Sequence, residues 1–120
     1  MLTTNSYTPN QDTHDYHNDV TNEVSGTGYV ANGTTLGTKV NSNTLNVVKF
    51  DAADTTWASS TITARRAVLY DATPGASASN PLMLWVDFGA DQSSSAGNFT
   101  IQWNASGIAT ITATDATGYP

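Results

Sequence analysis

Two histidines, His14 and His17, stand among Asp12, Asp15 and Asp19, the densest group of metal-ligating residue types in the chain. A metal site needs such side chains to converge, as in a His-Glu-x-x-His pattern on one helix face. In a helical segment each residue turns by about 100°, and the imidazoles then point away from the carboxylates. No glutamate is placed for a His-Glu-x-x-His site. The sequence therefore predicts no metal site and no cofactor.

Other chemistry is no better served. There is no cysteine and no Gly-x-Ser-x-Gly elbow, and the Gly26-Thr27-Gly28 and Gly33 stretch lacks a Lys-Ser/Thr ending to cradle phosphate. Asp51, Asp54, Asp71, Asp87, Asp91 and Asp115 fall at strand ends or in loops, where aspartate commonly caps turns. Two of them could approach as glycosidase carboxylates do, but no histidine or lysine stands at a spacing that suggests a mechanism. The expectation is a protein that is not an enzyme and acts by binding.

Arg65 and Arg66 lie within an apolar stretch, Ile62 to Tyr70. Neighbouring strand residues face opposite ways, so one arginine points toward a covered face or a strand edge and needs a carboxylate. Asp87, on the expected neighbouring strand, is the candidate. Both arginines are also candidate partner-binding residues.

The 120 residues suit one domain spanning 1–120, long enough to bury a core without staples. Only 12% are charged, and the net charge is -6. Thr, Ser and Asn make up about a third of the chain. Four cations are too few for the multiple phosphate contacts of nucleic-acid binding. The longest apolar run, Leu82 to Val86, is far short of a membrane span. No export signal follows Met1, so the expected place of synthesis is the cytoplasm. Neither nucleic acid nor membrane is an expected partner.

The elements follow from patterning. Residues 1–8 read as an N-terminal arm. Thr8-Pro9-Asn10-Gln11 is a capping box with proline at the first helical position, and Ser25-Gly26 a stop, which predicts one helix over 9–25. Tyr16, Val20 and Val24 form its apolar stripe. Asp12, Asp15, Asp19 and Glu23 form an acidic stripe about 100° away, whose mutual repulsion a basic partner would relieve.

Residues 34–115 read as the β domain. Leu36, Thr38 and Val40 alternate before an Asn41-Ser42-Asn43 turn, and Ile62 to Asp71 forms another strand. Leu82 to Phe88, apolar on both faces, reads as a central strand with Trp85 and Phe88 in the core. Phe99 to Trp103 and Ile108 to Ala113 read as a hairpin around Asn104-Ala105-Ser106-Gly107. Together these predict a mainly β fold, an antiparallel β-sandwich or small barrel with one N-terminal helix.

The wording Phe50-Asp51-Ala52-Ala53-Asp54-Thr55-Thr56-Trp57-Ala58, Thr61-Ile62-Thr63-Ala64-Arg65, Val86-Asp87-Phe88-Gly89 and Phe99-Thr100-Ile101-Gln102-Trp103 resembles small virion proteins of tailed bacteriophages. Tyr7 to Tyr16 and Asn18-Asp19-Val20 resemble their usual opening. The resemblance implies a structural role in the particle and carries over no catalytic residue. We therefore expect a capsid decoration or cement protein on the outer head surface, its partners the major capsid protein and further copies of itself, for example in a trimer. The alternative is a receptor- or glycan-binding module of a fibre, which needs an exposed aromatic platform such as Trp57, Tyr29 or Tyr119.

Overall fold

In the computed structural model, which describes residues 1–114, the chain is strand and loop with one short 3-10 turn, His17–Asp19. The strands are β1 Leu2–Thr3, β2 Val40–Thr44, β3 Val47–Asp51, β4 Thr55–Tyr70, β5 Leu82–Ile101 and β6 Ala109–Thr112. They form two three-stranded sheets, ordered β1-β4-β5 and β2-β3-β6. The fold is mainly β, as the sequence predicts. The chain divides into two compact units. Unit 1 comprises Met1–Thr34 and Trp57–Phe99; unit 2 comprises Thr35–Thr56 and the described residues from Thr100. Asp115 and Tyr119 lie outside the described residues.

Unit 1 holds the hydrophobic core, in which Leu2, Tyr7, Val24, Trp57, Val68 and Phe99 are buried. Residues 1–8, expected as an arm, begin instead with a buried strand: Leu2 and Thr3 pair antiparallel with Ala67 and Arg66. The Met1 ammonium donates to the Val68 carbonyl at 2.8 Å, and its burial lowers its pKa to about 6. Trp57 sits between Tyr29 and Phe99, at ring-centroid distances of 5.9 and 6.1 Å.

Among the described residues there is no α-helix, and the expectation of one over 9–25 is corrected. Side chains take the amides a helix would use. Asn10 Oδ1 accepts from the Asp12 amide at 2.9 Å, and Asp19 Oδ2 accepts from the Asp15 and Tyr16 amides at 3.0 and 2.9 Å. Such local bonds are why Asn and Asp favour turns over helix interiors. Other backbone groups are held by the 77–82 segment: His17 donates to the Asn80 carbonyl, and Leu82 donates to that of Asp15, both at 2.9 Å.

The central strand of the first sheet is β4, not the Leu82–Phe88 segment, which lies in the edge strand β5. Side-chain bonds from Thr63 to Ser93 and from Ser60 to Ser94, each 2.7 Å, show β4 and β5 running antiparallel. The buried positions of β4 run Thr55, Trp57, then Ser60, Ile62 and Ala64. The alternation slips at Ser59, whose φ is 49°, as at a bulge.

In unit 2, β2 and β3 form a hairpin, with Val40 opposite Asp51 and Thr44 opposite Val47. The turn is Leu45-Asn46, and the expected Asn41-Ser42-Asn43 turn lies inside β2. β6 pairs with β3, not with β5, so the expected hairpin between Phe99 and Ala113 keeps only its turn, closed by Gly107 donating to the Asn104 carbonyl. The Trp103 indole donates to Thr55 Oγ1 at 3.3 Å. Among the described residues, unit 2 contains no buried apolar side chain.

Candidate binding surfaces

Alternation along β5 half-buries Leu82, Leu84, Val86 and Phe88 and turns Met83, Trp85 and Asp87 outward. Trp85, expected in the core, is 44% exposed, and Met83 is exposed beside it on the same face. Phe88 keeps a place at the core margin, its ring centroid 6.3 Å from that of Phe99. The chain at Asp15–Tyr16 borders the start of β5, because Tyr16 bridges to Pro81. Tyr16 is exposed as well, which gives an aromatic and thioether surface next to acidic residues.

The four carboxylates expected as one stripe separate. Asp12 and Asp15 are exposed. Asp19 caps two amides, and those donors, Tyr16 and then Asp15, hold its pKa below the ordinary value. Glu23 accepts from the Tyr29 hydroxyl at 2.8 Å and from the Asn32 amide at 2.6 Å. Asp19 and Glu23 therefore act within unit 1, and the stripe disappears with the helix that defined it.

Both arginines are also engaged internally. Arg65 Nε donates to Asp87 Oδ1 at 2.7 Å. Arg66 Nε lies 3.0 Å from Asp87 Oδ2 without its N–H being aimed there, so that contact is an ion pair only. Arg66 Nη1 donates to the Tyr7 carbonyl at 2.5 Å. The sequence reading expected one arginine to pair with Asp87, and the structure brings both to it. The arginines are thereby poorly placed to bind a partner.

The hydrogen bond from Arg65, then that from the Gly89 amide, hold the Asp87 carboxyl below its ordinary pKa. A carboxylate lowered by folding contributes stability above its unfolded pKa, and the contribution is lost as pH falls through the folded value. Asp87→Asn should thus be less stable than wild type at pH 7, with the difference closing in acid. Urea melts across pH test this, and a gap that persists unchanged at low pH would refute the assignment.

Of the aromatics named for a platform, Trp57 is only 6% exposed, and Tyr29 is held by Glu23 and by the Leu2 amide at 2.9 Å. Tyr119 lies outside the described residues. Trp85 is an exposed aromatic that could serve, and sequence reading placed it in the core. The signal was present: a strand apolar on both faces calls for a cover on both, and a second chain can supply one.

The two histidines pack on tyrosines, His14 on Tyr7 at 5.6 Å and His17 on Tyr70 at 4.3 Å between ring centroids. Among the described residues no three His, Asp or Glu side chains are grouped to hold a metal ion. No protein family, curated protein or solved structure matches the chain.

Proposed function

We propose that this protein is a structural component of a bacteriophage particle, a decoration protein bound through unit 1 to the outer surface of the head. The observation that carries the reading is the outward face of β5, where Met83 and Trp85 stand exposed on an edge strand. Tryptophan is among the residues that most often anchor protein interfaces. Chemistry selects the partner. Unit 1 holds seven Asp and Glu (Asp12, Asp15, Asp19, Glu23, Asp71, Asp87, Asp91) against Arg65 and Arg66, a net charge of -5. Two copies of such a unit repel, whereas a basic site on the major capsid protein attracts it. Asp12 and Asp15, near the exposed Tyr16, supply the complementary charge. Packaged DNA would repel the same surface, which favours the outside of the head.

The test is to add purified protein to heads lacking it, as wild type and as Trp85→Ala. Saturable binding by wild type, weakened at least tenfold in the variant, is expected. Absence of binding, or equal binding by both, would remove the basis for this role. The second reading, a receptor- or glycan-binding module of a fibre, rests on the same exposed Trp85 as a stacking platform and differs in copy number.

A further inference from the structure

Unit 2 presents a different surface. Its sheet has no buried apolar side chain among the described residues, yet Val48 and Ile111 stand directly opposite each other on one face. Ile111 is 71% exposed and Val48 is exposed as well. A three-stranded sheet gains independent stability by covering an apolar face. At the tip of the β2–β3 hairpin, Leu45 is 89% exposed. Its φ of 55° is in the left-handed region that glycine and asparagine adopt readily and a leucine does not. An apolar side chain so exposed adds almost no burial within its own unit. Backbone strain of this kind gathers at functional sites.

The edges point the same way. β2 (Val-Asn-Ser-Asn-Thr) and β6 (Ala-Thr-Ile-Thr) are the two outer strands, and neither carries a charge or a proline. Natural sheets usually guard such edges with those residues. The charge identifies the occupant. Lys39 and Lys49 stand against Asp51, Asp54 and Asp115, so unit 2 carries a net charge of only -1, against -5 for unit 1. Identical surfaces of such low charge meet with little Coulomb repulsion, and a self-complementary patch suits symmetric association.

We infer that Leu45, Val48 and Ile111 form the surface through which copies of this chain associate with one another. The inference is independent of the head-binding role, which uses unit 1. Sedimentation velocity across a concentration series tests it with wild type, Leu45→Gly, Ile111→Thr and Trp85→Ala. Wild type and Trp85→Ala should sediment as oligomers. Leu45→Gly and Ile111→Thr should shift to monomer, with association weakened at least tenfold. Leu45→Gly relieves the turn, so at a concentration where both proteins are monomeric its melting temperature should match or exceed that of wild type. Wild type that stays monomeric at every concentration would overturn the inference, as would both unit 2 variants associating like wild type. Loss of association in Trp85→Ala alone would also overturn it. Wild type that binds heads as a monomer contradicts this inference alone, and an oligomer that fails to bind heads contradicts only the proposed function.

Discussion

Trp57→Ala should lower the unfolding free energy by about 3–5 kcal/mol, the usual range for emptying a buried tryptophan site. Trp57 is buried between Tyr29 and Phe99, so its removal deletes the centre of the aromatic cluster and leaves a cavity that rings on both sides cannot easily close. Trp85→Ala should change stability by about 1 kcal/mol or less, since that side chain faces outward on an edge strand. Paired chemical melts read both values. A neutral Trp57→Ala, or a Trp85→Ala as costly as Trp57→Ala, would reverse the assignment of core and surface along β4 and β5.

Gly28→Ala should be the second large loss. Gly28 has φ = 79°, and a Cβ there would lie 2.8 Å from Ser60 Cα and 2.9 Å from Ser60 Cβ. The left-handed conformation alone costs a non-glycine residue about 1–2 kcal/mol. Displacing packed backbone adds roughly 1–3 kcal/mol. The neighbour cannot give way cheaply: Ser60 is fully buried, and its hydroxyl lies 2.7 Å from Ser94 Oγ and 3.1 Å from the Gly97 carbonyl. The adjacent Thr61 amide donates to the Thr27 carbonyl at 2.9 Å, and this bridge would be strained too. A thermal melt of Gly28→Ala indistinguishable from wild type would show that the segment does not approach β4 this closely.

What the sequence disclosed, and what it hid, follows from how far each signal reaches. The β character was legible because Thr-rich alternation after Thr34 is a local property of the chain. That one of Arg65 and Arg66 would need Asp87 was legible because a cation facing a covered surface requires a counterion; that Asp87 engages both was not. The 9–25 helix failed although its capping signals were genuine. Asn10 and Asp19 satisfied backbone amides through their side chains, and the 77–82 segment captured others, so no helical ladder was needed. The hairpin turn fell at Leu45-Asn46 rather than at Asn41-Ser42-Asn43, because pairing with β3 placed the polar triplet in a strand despite its turn preference.

The misplacement of Trp85 is the most instructive. Leu82-Met83-Leu84-Trp85-Val86 reads as a strand covered on both faces, and the fold covers one. Composition records that a strand needs covering but not which chain supplies the cover. The acidic residues divide in the same way: Asp19 and Glu23 have internal hydrogen bonds, and Asp12 and Asp15 lie exposed near the same surface.

Copy number in the particle tests the proposed role most directly. Whole virions should be resolved on a denaturing gel and the band of this protein compared, after correction for mass, with that of the major capsid protein. A decoration protein covering the head predicts molar amounts comparable to the capsid protein. A band tens of times weaker would contradict that placement and leave the fibre reading in its stead.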